Sequence, residues 1–387
     1  MKTANRLDSA PIEVPRGLAN VIVTETELSE VRGREGFYNY RQYSATDLAR
    51  SRSVEEVWHL LLTGELPDDG ALAAFRGRLA AGMALRPDVA AALPAIAAVR
   101  GAGGLAGLRA ALAFEASAGG YRPLYDLSGP ERLADVLRLG VQVPVLIAAL
   151  HRLRRGLAPV EPDPALDYAA NYLYLLTGTR PRPEHARALG SYLSAAVDHG
   201  FNASTFTARV IASTGSDAAS CILGALGALD GPLHGGAPSR ALDALDAIGT
   251  PSNIEPWIRG ELAAGRRIMG FGHPVYRIED PRSRLLKEVA QSLGGARADF
   301  AVAVEAKVQQ LLAELKPGRA LHTNLEFYAA VVMESCGLDR ELFTPTFAVA
   351  RVLGWGANIL EQARDGKIIR PSARYVGPAA PQPVPAR

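Results

Sequence analysis

Cysteine is nearly absent from the 387-residue chain: Cys221 and Cys336 are the only two, far apart and outside any CxxC or metal-ligand spacing. That scarcity excludes a disulfide-stapled fold and fits free, buried thiols in a reducing compartment. Lysine is scarce too, confined to positions 2, 287, 307, 316 and 367, so nearly all of the 42 basic residues are Arg. Arg suits bidentate binding of carboxylates and phosphates. No charge of either sign predominates: 40 acidic residues leave a net charge of +2, which gives no field for holding a polyanion. Long apolar runs are missing as well. Residues 141–150 are interrupted by Pro144, and residues 88–114 carry Arg100 and Arg109, so neither reads as a bilayer span. Residues 1–14 lack the apolar stretch of a signal peptide. The expectation is a cytoplasmic protein. What the chain does have is 48% hydrophobic residues, enough for a large core, and a length that suggests two or three units.

Strand signals are confined to the N-terminal part. Residues 21–26 are β-branched, residues 37–43 alternate aromatic and polar, and Gly33 and Gly36 lie between, which predicts a small hairpin. Helical periodicity follows to the end. Ser53 and Glu56 form a capping box ahead of Val57, Leu60 and Leu61. Asp280 and Pro281 suit the N-cap and first turn of a helix with Leu285, Leu286, Val289 and Leu293 on one face. Val304, Val308, Leu311, Leu312 and Leu315 mark another helix, stopped by Lys316-Pro317-Gly318. A further helix is predicted from Thr344-Pro345 to about Asp365, ended by Gly366. Strands do not alternate with these helices, so the fold class is all-α with a small N-terminal hairpin, in two units. The Pro- and Ala-rich end from about residue 378 reads as a loose tail.

Seven histidines carry the first chemical signal. His59, His151 and His185 sit among apolar or Arg residues and read as structural or surface. His199, His234 and His273 are set beside glycines, in Asp198-His199-Gly200, Pro232-Leu233-His234-Gly235-Gly236 and Gly270-Phe271-Gly272-His273, where a ligand can approach closely. Their separations of 35 and 39 residues carry no zinc spacing, and Gly270-Phe271-Gly272 lacks the third glycine of a dinucleotide loop. Arg282 falls in the first turn of the helix capped by Asp280, where free N–H groups favour a carboxylate. Arg351 sits two turns into a helix with few other charges, so it needs a buried anion, or lies at a cleft or subunit contact. Glu326, a lone acid ahead of an apolar run, is a candidate base with a raised pKa.

Together, the segments DHGFNASTFTARVIASTGSD (198–217), GPLHGGAPSR (231–240), GFGHPVYRIEDPRS (270–283) and RPSARYVG (370–377) resemble the citrate synthase family, with the likeness running from Gly17-Leu18-Ala19-Asn20-Val21 onward. The resemblance implies a two-domain helical fold working as a homodimer, with the active site in the cleft. It implies residues 1–235 as the first part of the large domain, 236–337 as a small domain on the acyl-CoA side, and 338–387 as the rest of the large domain. The implied activity is that of an acyltransferase of the tricarboxylic acid cycle, condensing acetyl-CoA with oxaloacetate and hydrolysing citryl-CoA to citrate and CoA. Carried over by motif, His234, His273 and Glu326 are catalytic. His199, Arg282 and Arg351 hold oxaloacetate, Arg370 comes from the partner subunit, and Arg277 contacts the CoA phosphates. The chemistry calls for no metal or redox cofactor, and no nucleic acid or membrane is expected as a partner. One position departs from the family pattern: Glu326 stands where Asp is usual, lengthening the stem by about 1.5 Å, and the backbone around it is expected to have adjusted. Two alternatives stay open, a 2-methylcitrate synthase using propionyl-CoA and a catalytically weak paralogue that binds CoA or dicarboxylates.

Overall fold

The computed structural model describes residues 11–232, 234, 237–266, 268–273, 275–315 and 321–385. Gly235, Gly236 and Lys316-Pro317-Gly318 therefore lie outside the described residues. The protein is 63% helical with one small antiparallel sheet. In that sheet β1 (Ser29–Arg32) pairs with β2 (Phe37–Tyr40), which pairs with β3 (Tyr43–Ser44). The expected strand over 21–26 is not formed. Ile22 is exposed there and no neighbouring strand offers it a ladder. The chain instead begins pairing at Ser29, opposite Tyr40, so the two glycines turn a tighter hairpin. β-branching marks a residue that fits a sheet, and only a partner makes the strand.

Helices follow in close succession: α1 (Ala45–Ser51), α2 (Val54–Thr63), α3 (Asp69–Met83), α4 (Pro87–Ala98), α5 (Gly104–Gly119), α6 (Gly129–Arg154), α7 (Tyr168–Thr177) and α8 (Pro183–Ala196). Then come α9 (Ala203–Ala212), α10 (Ala218–Leu229), α11 (Ala237–Ile248), α12 (Ile254–Ala263), α13 (Pro281–Leu293), α14 (Ala296–Leu315), α15 (Leu325–Ser335) and α16 (Phe343–Asp365). Local sequence sets many of their ends. Ser53 and Glu56 make the expected capping box on α2, Asp280 caps α13 with Pro281 following, and Gly366 closes α16 at φ +66°. Asn202 caps α9 through the Thr205 N–H.

Pro144 does not interrupt α6, which runs 26 residues through it. By length and composition α6 could cross a membrane, but it is largely buried inside the protein, as a core helix is. It packs against α16, and the two long helices form the axis around which α3, α4, α5, α7, α8, α9 and α10 gather. α13 and α15 pack on each other and on α8, and α11 and α14 pack against α15. Near its middle α16 is buried on nearly every side, so the charge of Arg351 enters a core helix.

Candidate active site

Three chain segments converge between α8, α13, α15 and α16. The first is the turn after α8 that carries Asp198 and His199. A Cβ on Gly354 would fall 2.1 Å from the Val197 carbonyl oxygen, so glycine alone lets α16 lie this close to that turn. The second is the loop 270–280. Gly272 N–H donates to the His322 carbonyl at 2.8 Å and Asn324 N–H to the Gly270 carbonyl at 2.9 Å, joining this loop to the entry of α15. Gly270 is at φ +85°, and a Cβ there would strike the Phe327 ring at 2.7 Å. The pairing sets the loop that carries His273 beside the start of α15, which carries Glu326. The third segment is Asn202–Ser204 at the start of α9, against which His234 rests.

Arg282 is buried and held by Asp280: Nε donates to Oδ1 at 3.0 Å and Nη2 to Oδ2 at 2.8 Å. Burial alone would lower its pKa, but Asp280 outweighs burial and keeps the guanidinium charged, above its ordinary range. Asp280 thus does more than cap the helix, the role its sequence position predicted. His273 Nδ1 accepts the N–H groups of Val275 at 3.0 Å and Tyr276 at 3.1 Å, which puts the proton of a neutral ring on Nε2. Arg282 Nη2 lies 3.2 Å from that Nε2. Burial, then Arg282, lowers the His273 pKa to about 4, so the ring is neutral at pH 7.

Arg351 is 3% exposed, and its Nε and Nη1 have no hydrogen-bond partner. Burial, with Arg282 adding to it, pulls its pKa down, while the Asp198 carboxylate opposes. Asp198 is itself buried and raised by that burial, and it accepts hydrogen bonds from Ser29, the Gly200 N–H and Asn358 on α16. His199 lies 5.7 Å from the His273 ring centre, and burial, Arg282 and Arg351 push its pKa well below 6.5. Burial, then Arg351, lowers His234 to about 4, and its Nε2 lies 2.8 Å from Ser204 Oγ. Glu326, in the first turn of α15, is pushed up by burial, against the pull of Arg282 and Arg351. His199, His234, His273, Arg282, Arg351 and Glu326 therefore form one electrostatic cluster: three neutral imidazoles, two guanidinium groups and one carboxyl group whose pKa burial raises.

The cluster does not include Arg370 or Arg277, both of which are exposed. Arg370 lies on the C-terminal segment, and the Arg277 backbone N–H donates to the Gly33 carbonyl at 3.0 Å. His59, His151 and His185 stand outside the cluster, His151 between Asp339 and Glu341. The sequence reading passed over Tyr276, Asp198 and Ser204 as functional residues. Each lies within a quoted motif, but the side-chain contacts that tie them to His199, His234 and Ser29 span 30 residues or more, and no local spacing signals them.

The family model for the C-terminal domain of citrate synthase matches residues 17–372. The citrate synthase of Haloferax volcanii is 38% identical over 372 residues, 94% of this chain and 96% of its own. The 2-methylcitrate synthase of Mycobacterium tuberculosis is 36% identical, covering 97% of this chain and 93% of its own. Among solved structures, citrate synthase from Thermoplasma acidophilum in ternary complex with carboxymethyl coenzyme A and oxaloacetate superposes with a TM-score of 0.87 at 29% identity, covering 96% of this chain and 98% of that one.

Proposed function

We propose that this chain, which belongs to the citrate synthase family of acyltransferases, condenses acetyl-CoA with oxaloacetate and hydrolyses citryl-CoA to citrate and CoA. The observation that carries the reading is Arg351, a buried cation with two unpartnered donor nitrogens beside Arg282, His199 and His273. A dicarboxylate supplies acceptors for the two free donors of Arg351 and a second anion beside Arg282, whose Nε and Nη2 face Asp280, and a ketone oxygen answers the Nε2–H of His273. Oxaloacetate has all three groups.

In this mechanism Glu326 removes a methyl proton from the thioester. Its raised pKa brings it nearer to the basicity the task needs. The developing enolate oxygen takes a hydrogen bond from His234. Ser204 Oγ donates its one hydrogen to Asn202 Oδ1 at 2.8 Å and lies 2.8 Å from His234 Nε2. In this mechanism the hydroxyl turns from Asn202 to donate to His234 Nε2, which puts the proton of the neutral ring on Nδ1 for the enolate. A neutral imidazole fits this task, because it adds no buried charge. The enolate carbon then attacks the oxaloacetate ketone while His273 donates to the ketone oxygen. Hydrolysis of the thioester releases CoA.

Residues 236–337 serve in this reading as the small domain that closes over both substrates and excludes water. A second copy of the chain completes the site with its Arg370. The C-terminal segment that bears Arg370 also exposes Ile368, Tyr375 and Val376, apolar surface suited to a dimer contact. Arg277 contacts the CoA phosphates.

The relative named as a 2-methylcitrate synthase supports a second acyl donor, propionyl-CoA, since one methylene discriminates by only about 1–3 kcal/mol. The deciding assay is release of free CoA thiol from oxaloacetate with acetyl-CoA or propionyl-CoA, for the native chain and Glu326→Gln. The expected result is turnover with acetyl-CoA that falls by about 100- to 10,000-fold in the variant. Preference for propionyl-CoA reassigns the acyl donor. Oxaloacetate binding without turnover leaves the weak paralogue.

A further inference from the structure

The mechanism makes no use of Tyr276, yet this residue is 4% exposed at the centre of the keto-acid cluster and touches three of its members. Its backbone N–H is one of the two that donate to His273 Nδ1, at 3.1 Å. Its hydroxyl meets His199 Nε2 at 2.9 Å. Its ring lies 4.9 Å from the His273 ring centre and 5.7 Å from the guanidinium carbon of Arg282. Burial holds the phenol above its ordinary range, so the hydroxyl enters the contact with its proton in place.

We propose that Tyr276 is a positioning residue that fixes the tautomers of His199 and His273, so that each imidazole presents an N–H to the keto acid. The proposal rests on the oxaloacetate reading of this cluster and extends it. A ring nitrogen that accepts a hydrogen bond carries no proton, so the backbone contact places the His273 proton on Nε2. The phenol, donating to Nε2 of His199, places that ring's proton on Nδ1. Without the hydroxyl, His199 is free to exchange tautomers and to turn.

Tyr276 is held in turn from outside the pocket. A Cβ on Gly33, in the β1–β2 turn, would fall 2.3 Å from the Val275 carbonyl oxygen, and the Gly33 carbonyl accepts the Arg277 N–H. The same hairpin grips the His199 segment. The Tyr38 and Tyr40 hydroxyls donate to the Ala195 carbonyl at 3.0 and 3.2 Å, and Ser29 donates to Asp198. One hairpin thus clips both histidine-bearing segments together, with Tyr276 between them.

The test is Tyr276→Phe, which removes the hydroxyl and keeps ring and backbone, read by steady-state thiol release and by calorimetric titration with oxaloacetate. The expected result is a KM and a Kd for oxaloacetate raised about tenfold, with the KM for acyl-CoA and the thermal midpoint unchanged. Gly33→Ala, which presses on Val275 from the far side, is expected to raise the oxaloacetate KM in the same direction. An unchanged oxaloacetate Kd in Tyr276→Phe overturns the proposal. Equal losses for both substrates with a lowered thermal midpoint also overturn it, because that pattern belongs to a structural residue. If the native chain binds oxaloacetate but releases no thiol, condensation fails as a reading while the titration still judges Tyr276. If the native chain does not bind oxaloacetate, both fall.

Discussion

Removing the charge of Arg351 is expected to stabilise the empty protein and to abolish its use of oxaloacetate. Arg351→Met keeps a flexible stem of similar reach and deletes the guanidinium. That guanidinium is 3% exposed, and no protein group among the described residues accepts from its Nε or Nη1. Buried donors left unsatisfied cost about 1–3 kcal/mol, and more when charged. Asp198 loses one favourable neighbour in the variant but keeps Ser29, the Gly200 N–H and Asn358. The net expectation is a gain of about 1–3 kcal/mol without ligand, seen as a higher thermal midpoint. Binding moves the other way. Each charge-assisted hydrogen bond lost is worth about 1.5–3 kcal/mol, so two donors weaken the oxaloacetate Kd by roughly 100- to 10,000-fold. Calorimetry with and without oxaloacetate reads both effects. At a hundredfold excess over Kd the ligand adds about 2.7 kcal/mol to the native protein, and at the same concentration it should add no more than about 0.4 kcal/mol to the variant. A variant less stable than the native chain without ligand, or one that oxaloacetate stabilises as much as the native chain, refutes the claim that this charge is there to meet an anion.

Two further outcomes are expected. Shortening the base in Glu326→Asp withdraws the carboxylate by about 1.5 Å, and a misplacement of about 1 Å costs ~100-fold. A backbone adjusted to Glu therefore predicts a kcat 10- to 100-fold lower with an unchanged oxaloacetate KM; a variant as fast as the native enzyme shows that no adjustment exists. Stability should also depend on pH through the neutral histidines. His234 and His273 titrate near 4 in the fold against 6.5 as ordinary values, so between these limits the unfolded chain binds protons that the fold does not. Stability then rises with pH from about 4 to about 6.5 and is lost as pH falls back through that window. Thermal midpoints across this range should show the slope, and the His234→Gln/His273→Gln double variant should flatten it; a slope unchanged in the double variant denies that these rings are neutral in the fold.

Much of this protein was legible in its sequence wherever the cause is local. The capping box at Ser53 and Glu56, the Asp280–Pro281 start of α13 and the Gly366 end of α16 follow from the bonding needs of helix ends, which a few neighbouring residues satisfy. The glycine-flanked histidines and the buried-helix arginine could be singled out for the same reason, and the ordered motifs gave the family. Local pattern failed where the outcome depends on a distant partner. Residues 21–26 have strand character but nothing to pair with, and Pro144 is accommodated inside α6 because neighbouring helices enclose it.

The chemistry itself was decided by the tertiary structure. Nothing in the sequence says that Asp280 spans both edges of Arg282 or that Arg351 keeps two donors free. Nor does it say that His199 and His273 are linked through Tyr276. Burial lowers the histidines and raises Glu326, and burial is a property of the packed whole. The sequence supplied the groups, and the packing of α8, α13, α15 and α16 brought them together and set their charge states.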